Sequence, residues 1–588
     1  MQLRCVDDES IVKSLPGIAP IPGPLADLGF NSPVGIVLWT IGLGTSVRLL
    51  CAATAIDLSY GEAYYVATAR HFALSYFDHP PLSFWIAAAI MKLTGSDALF
   101  VLRVPFILIF AATTWLMYRV GASLFGERAG ALSALLLNIS PLFAISIGAW
   151  VEPDGPLIFC SLASTFCVIR LAYASKPSAE ILLWAQAGFW LGLAMLAKYY
   201  AVLLPIGIAL FALTSRVHRQ WFRKPGPYIA CAIALAVFSP VLLWNFQNGW
   251  ISFRFQGVRA VDFSGIGIKR LLTNIFGQAA FIGPWIWAPM LFACGRAIKD
   301  GRSNLTSWFV LCIASVPIVL FTAISLWAQT AGHYHWQAPG YLILFPLLAS
   351  RVVDKLEAGH APTLRWLSLS TAALLVTIAV VGTEAATGWA HMLLKNSLRP
   401  ARDFTLSGLE WKELRTAIGE RHLLDERRLF VATAHRVEIG KIDLEIGKFL
   451  PVVCMCGDPR NIAFGWNLDK FLAWDALIIG TDLHIPNVLE AYGSYFRKIE
   501  PLDNIEIHRG GRVVLTLRVY YAKHYLGSYP LPFGQVAEQG RPRKTSAGRL
   551  FWLSSLARGN CTAAEWAKLA TLTETELESR SVTGSRLG

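Results

Sequence analysis

Over its first two thirds the chain alternates long apolar runs with short polar joints. A bilayer crossing takes about 20 apolar residues. Runs of that kind predict spanning helices near 33–55, 101–124, 130–149, 156–174, 181–197, 199–215, 228–247, 277–295, 306–327, 337–350 and 365–387. The stretch 82–93 is apolar but only about 12 residues long. It reads as an interfacial or re-entrant helix rather than a span.

The charges between the runs set an orientation. With 82–93 left out of the count, five basic loops fall on one side. They carry Arg119 and Arg128; Arg170 and Lys176; Arg216, Arg219, Arg223 and Lys224; Arg296, Lys299 and Arg302; and Arg351 and Lys355. The positive-inside rule makes that side cytoplasmic, so the expectation is about eleven spans, an inside N-terminus and an outside C-terminus. Loops 56–81, 150–155, 198–200, 248–276 and 328–336 then share the outer face, where they could build one site.

Past residue 395 the pattern changes. Trp411-Lys412-Glu413-Leu414 reads as helix, whereas Arg428–Ala432, Ala476–Gly480 and Val513–Leu517 read as strands. The expected organisation is a cytoplasmic segment 1–30, a transmembrane domain 31–395, an outer α/β domain 396–525 and a flexible tail 526–588. The first 30 residues carry Asp7, Asp8 and Glu9 without a basic-then-apolar leader, so the first apolar run is expected to act as an uncleaved signal anchor.

Composition agrees with a bilayer solvent: 54% of the 588 residues are hydrophobic and 15% charged, with 21 Trp and 33 Phe. The net charge of +13 is spread over interhelical loops rather than gathered in one basic run, which argues against nucleic acid. The ten cysteines lie mostly inside apolar runs. Cys454-Met455-Cys456 is the one close pair, and its spacing is neither that of a CxxC redox motif nor half of a zinc site.

The polar motifs carry a resemblance. Glu62-Ala63-Tyr64-Tyr65 followed by Tyr76-Phe77-Asp78-His79-Pro80-Pro81-Leu82 resembles the first outer loop of the GT-C glycosyltransferases that use polyprenyl-phosphate sugars. That group includes glycosyltransferase family 39, the protein mannosyltransferases and the aminoarabinose and galacturonic acid transferases acting on lipid A. Further similar motifs are Arg103-Val104-Pro105, Pro153-Asp154-Gly155-Pro156-Leu157, Ala197-Lys198-Tyr199, Ser239–Asn245, Ser252–Gln256 and His335–Tyr341. They run in the family's order over roughly residues 56–345. The resemblance implies a GT-C fold: an α-helical polytopic membrane protein with interfacial helices, here followed by an α/β soluble domain. Relatives usually read Asp-Glu at the start of this motif and the Asp is their presumed base; here the pair is Gly61-Glu62.

Sugar transfer from a polyprenyl phosphate needs a carboxylate to take the acceptor's proton and cations to stabilise the departing phosphate. Glu62 leads the candidates for the base, followed by Asp57 and Asp154. Each has a structural alternative: pairing with Arg70 or Arg103, capping a helix, or sitting in a turn. His79, oriented by Asp78, could touch substrate, and the two prolines that follow could equally form a hinge. Lys198 beside Tyr199 leads for the phosphate, with snorkelling as its alternative. Arg254, Arg259, Lys269 and Arg270 make an outer loop basic against the topological trend, which favours an anionic ligand or headgroup. Tyr65, Arg103, His333 and His335 complete the candidate substrate-binding set. The His pair with carboxylates could hold a divalent cation, although its spacing is unspecific; no metal ligand and no cofactor is assigned. The glycine at 61 admits one further expectation, an acceptor less dependent on deprotonation, such as a phosphate.

The expected activity is that of a bacterial inner-membrane glycosyltransferase with its active site and C-terminal domain in the periplasm. It would carry sugar from a polyprenyl-phosphate donor to an envelope lipid or glycan, such as lipopolysaccharide, or to protein. Two alternatives stay open: a flippase of polyprenyl-linked lipids, which should place charge at mid-membrane depth, and a degenerate lipid-binding relative.

Overall fold

The computed structural model describes residues 32–54, 57–172, 177–261, 265–328, 333–390 and 403–530. The segment 1–30, most of the 526–588 tail and the side chain of Arg259 lie outside the described residues. From the N-terminus, α1 (Pro33–Thr54) is followed by two short helices, α2 (Tyr60–Ala69) and α3 (Leu82–Thr94), and then by α4 (Leu99–Phe125). The longer helices that follow are α5 (Asp154–Leu171), α6 (Pro177–Ala197), α7 (Gly226–Gln247), α8 (Leu305–Ile324) and α9 (Ala361–Thr387).

Among the described residues seven helices, α1 and α4 to α9, are long and apolar enough to cross a membrane. Of the other four expected runs, three are interrupted and one continues into charged turns. The run 130–149 divides into Glu127–Asn138 and a π-helical turn, Leu142–Ile147, around Pro141. The run 199–215 becomes a 3-10 turn, Tyr199–Val202, and a helix, Leu203–Thr214. The run 337–350 lies in the helix Ala338–Glu357, whose last turns are charged. The expected span 277–295 is instead a broken one: Ile268–Ile282 and the helix starting at Pro284 meet at 109°. Gly283, at φ +93°, supplies the left-handed residue that turns the chain, and Pro284 cannot continue a helix from behind. The run 82–93 appears as the short helix α3, with Gly95 closing it in the left-handed region.

Helix α6 packs between α5 and α7. A Cβ on Gly188 would stand 2.2 Å from the Ala230 carbonyl oxygen, so glycine there sets how closely α6 approaches α7. Large apolar side chains such as Leu43, Phe246, Phe292 and Leu369 point outward, as they do in a bundle solvated by lipid.

The C-terminal α/β domain is built on six strands: β1 (Leu429–Thr433), β2 (Val452–Cys454), β3 (Asp475–Thr481), β4 (Phe496–Pro501), β5 (Ile505–Arg509) and β6 (Arg512–Tyr525). The sheet order is β2-β1-β3-β6-β4, with β5 also paired to β6. Strand β1 runs parallel to β2 and β3, and β6 is antiparallel to β3, β4 and β5. The crossover helix α10 (Arg436–Ile446) joins β1 to β2. Its buried strands read as continuous apolar runs because both faces are covered. Cys454 and Cys456 are joined as a disulfide at the end of β2. The domain continues past 525: Leu526 N–H donates to the Tyr495 carbonyl and Tyr529 is buried against the sheet, so residues 526–530 belong to it rather than to a tail.

Helix α10 lies on α2. At the crossing a Cβ on Gly440 would come within 2.4 Å of the Ala63 and Tyr64 backbone. Around this joint Lys441 Nζ reaches Asp57 Oδ2 (2.7 Å), and Arg70 bridges Asp97 (2.7 Å) and Asp443 (3.2 Å).

Candidate active site

Ser59 and Glu62 start α2 with a reciprocal cap. Glu62 N–H donates to Ser59 Oγ (3.2 Å), and Ser59 N–H donates to Glu62 Oε2 (2.9 Å). The same carboxylate accepts two charge-assisted bonds from Arg103 in the first turns of α4, at 2.8 and 2.6 Å, and a third-side bond from Val151 N–H at 3.0 Å. Burial pushes the Glu62 carboxyl up, but Arg103 and the two amides outweigh it and hold the group below the usual carboxylate range. Glu62 therefore ties three segments, α2, α4 and the turn before α5, with every oxygen in use. Asp57 is engaged at the domain joint through Lys441.

The loop after α2 is organised by Asp78, which is fully buried. Asn461 Nδ2 donates to its Oδ1 (2.7 Å), Arg460 Nη1 lies 3.3 Å from Oδ2, and Tyr64 O–H donates to Oδ2 (3.2 Å). His79 Nδ1 stands 3.4 Å from Oδ1, and Gln256 donates to the Asp78 carbonyl at 2.7 Å. Burial would raise the Asp78 carboxyl; His79, Arg460 and Asn461 overcome that and hold it far below its ordinary value. The Tyr65 ring meets His79 edge-on, centroids 5.6 Å apart, with Phe84 behind it.

The third part lies where α5 begins and α6 ends. Lys198 Nζ donates to Asp154 Oδ2 at 2.7 Å and Tyr200 O–H to Oδ1 at 3.2 Å; Lys198 and Asp154 are both buried. His335 lies within electrostatic reach of Asp154. The ring of Tyr199 packs on Phe253. Just before α5, Glu152 is half-buried. Burial first, then Asp154 and Glu62, raise its carboxyl to about 8 against the pull of Lys198 and Arg103.

Tyr65, Asp78, His79, Arg103, Glu62, Asp154, Lys198 and His335 thus come together at one end of the bundle. His333 is stacked on Trp336 (4.7 Å, 11°) near the rim, and Arg254 is exposed. Among the described residues no group of three His, Cys, Asp or Glu side chains is arranged to hold a metal ion. Beside the His333–Trp336 turn, Lys269, Leu272, Phe276, Gly277 and Tyr334 line an open apolar groove of about 610 Å³. Sequence reading assigned no role to Arg460, Asn461 or Lys441, which arrive from the far domain without a motif. Glu152 likewise had no assigned role, although it immediately precedes the Pro153-Asp154-Gly155-Pro156-Leu157 motif.

The chain matches the family model for dolichyl-phosphate-mannose-protein mannosyltransferases over residues 78–244. It is 27% identical over 330 residues to the lipid A galacturonosyltransferase RgtD of Rhizobium johnstonii, covering 55% of this chain and 64% of that protein. It is also 27% identical over 258 residues to the undecaprenyl phosphate-alpha-4-amino-4-deoxy-L-arabinose arabinosyl transferase 1 of Proteus mirabilis, covering 41% of this chain and 45% of that protein. The alignments thus span less than two thirds of the relatives' own length. The fold is similar to that of ArnT from Cupriavidus metallidurans in the apo state, with TM-score 0.54 at 13% identity over 83% of this chain and 98% of that one. The same protein bound to undecaprenyl phosphate gives TM-score 0.51 at 14% identity and the same two coverages.

Proposed function

We propose that this chain, a member of the GT-C class of membrane glycosyltransferases, moves a sugar from a polyprenyl-phosphate donor to a lipid A-type acceptor at the periplasmic face of a bacterial inner membrane. The observation that carries the reading is the buried Lys198–Asp154–Tyr200 group with His335 and His79 nearby, at the mouth of a fold similar to one that binds undecaprenyl phosphate. Of the two relatives cited above, one is named for galacturonosyl transfer with lipid A and the other for arabinosyl transfer with undecaprenyl phosphate-alpha-4-amino-4-deoxy-L-arabinose.

The chemistry follows from the placement. A phosphate leaving group gains negative charge as its bond to the sugar breaks, and a preformed cation in a site away from water stabilises it strongly. Lys198, held in one position by Asp154 and Tyr200, suits that role, with His335 as its neighbour. The apolar groove beside Tyr334 offers a bed for a prenyl chain, with Lys269 at its rim for an anionic headgroup. The buried carboxylates Glu62, Asp78 and Asp154 and their cation partners gather at one end of the bundle, which favours transfer at a surface over a flippase pathway through mid-depth.

The test is transfer in vesicles. Purified protein would be reconstituted with lipid A and undecaprenyl-phosphate-linked galacturonic acid or 4-amino-4-deoxyarabinose, and the lipid A mass read out. Addition of one sugar residue, lost in Lys198→Met, is expected. Unmodified lipid A with both donors, from protein that still binds undecaprenyl phosphate, overturns the reading.

A further inference from the structure

Gly61 leaves a gap at the start of α2, and another residue fills it. A Cβ built on Gly61 would lie 3.3 Å from Glu152 Oε1 and 3.8 Å from Ser59 Oγ. The Glu152 carboxylate therefore occupies the space that a side chain at 61 would enter, arriving from the turn before α5 instead of from α2. This is also the place where the family resemblance puts an aspartate.

The other carboxylates at this end are each neutralised by a cation: Asp57 by Lys441, Glu62 by Arg103, Asp78 by Arg460 and Asp154 by Lys198. Among the described residues, no side chain hydrogen-bonds or ion-pairs with the Glu152 carboxylate within 4.0 Å. The charged and titratable groups that face it are Asp154 from α5, Glu62 and Tyr65 from α2, Arg103 from α4, and Lys198 and Tyr200 from the end of α6. It is half-buried and so reachable by a ligand.

We propose that Glu152 is the proton-accepting carboxylate of the transfer reaction, standing in from a different segment for the side chain that Gly61 lacks. The inference rests on the glycosyltransferase reading above and adds to it the base and the acceptor class, a hydroxyl. As the acceptor oxygen bonds to the anomeric carbon, its proton passes to Glu152. The carbon–oxygen bond to phosphate breaks, and its electron pair leaves on the polyprenyl phosphate beside Lys198. A base whose proton affinity lies close to working pH combines adequate ionisation with adequate basicity, which burial beside Asp154 and Glu62 provides. A phosphate acceptor needs no such group, so the absence of a carboxylate at 61 ceases to argue for one.

The experiment measures sugar transfer to lipid A in vesicles between pH 6 and 9.5. The proteins are wild type, Glu152→Gln, Glu152→Gly, Gly61→Asp and the double variant Gly61→Asp/Glu152→Gly, with undecaprenyl phosphate binding followed in each. Glu152→Gln should lower the rate about 100-fold or more, flatten its rise with pH, and leave undecaprenyl phosphate binding within threefold of wild type. The double variant should regain at least tenfold over Glu152→Gly, because a carboxylate returns to the same space from the other side. Glu152→Gln transferring within threefold of wild type, with the same pH profile, overturns the inference alone. A double variant that binds undecaprenyl phosphate yet is no faster than Glu152→Gly also overturns it, and this comparison decides the matter if Glu152→Gln does not fold. Wild-type protein that transfers no sugar overturns the function and this inference together.

Discussion

Arg460, on the loop after β2, places its guanidinium 3.3 Å from Asp78 Oδ2 in the loop after α2, across 382 positions of chain. Asp78 is fully buried, so removing the cation strands a charge. Arg460→Met should lower stability by about 3–5 kcal/mol, seen as an earlier melting transition in detergent and faster proteolysis of the 70–81 loop. A melting point unchanged from wild type would show that Asn461 and His79 suffice.

Glu62 and Arg103 form a closed ion pair that also satisfies two backbone amides. Glu62→Gln should therefore cost stability, again about 3–5 kcal/mol, whereas replacing both partners by apolar residues should recover much of it. Melting curves of Glu62→Leu, Arg103→Leu and the double variant form the test. Additive losses would contradict the pairing.

Gly440 is the contact point between α10 and α2. Gly440→Ala forces a methyl into the Ala63–Tyr64 backbone and should destabilise the joint by about 1–3 kcal/mol. Transfer activity should fall more than the loss of folded protein explains, because α2 carries part of the proposed site. Equal melting points for Gly440→Ala and wild type would refute the close approach.

The pH dependence of stability has a sign that identifies Glu152. Its carboxyl titrates near 8 when folded and near the ordinary carboxylate range when unfolded. Between those values the folded state holds a proton that the unfolded state has released, so raising pH through this window lowers stability. Wild type should thus melt progressively earlier from pH 5 to pH 8 relative to Glu152→Gln. Parallel melting curves for the two proteins would remove the shift.

Lys198→Ala leaves buried Asp154 with Tyr200 as its hydrogen-bond donor and His335 as a neighbouring cation source. If Lys198 stabilises the departing phosphate, kcat should drop by about 100- to 1,000-fold while Lys198→Arg retains part of the rate. The same loss in both variants, accompanied by an earlier melting transition in each, would point to packing instead.

Much of this was legible in the sequence. Apolar run lengths located most of the helices, and the short run 82–93 was rightly set apart as α3. Loop parity put Asp154, Lys198, Asp78 and His79 on one face because each sits in a joint between apolar runs. The turn at Gly283 was missed, since two apolar helices read through a Gly-Pro pair look like one span. The partners of Asp57 and Asp78 were not legible: Lys441, Arg460 and Asn461 lie more than 380 residues away, and no local pattern announces a cross-domain bond. Nor was the nearness of Glu152 to Gly61, which depends on how the 150–153 turn folds back over α2.

The bonds that join α10 and the loop after β2 to α2 also set an order of events during synthesis. The loop at 57–81 leaves the ribosome early, yet Asp57 and Asp78 meet their cations only when Lys441 and Arg460 have been made. Closing so long a stretch of chain is slow compared with pairing neighbouring helices. The spanning helices can therefore settle in the bilayer first, with the polar end of the bundle left open. The proposed site therefore closes last, once the C-terminal domain has docked, and a chain truncated before residue 461 is expected to insert without transferring sugar.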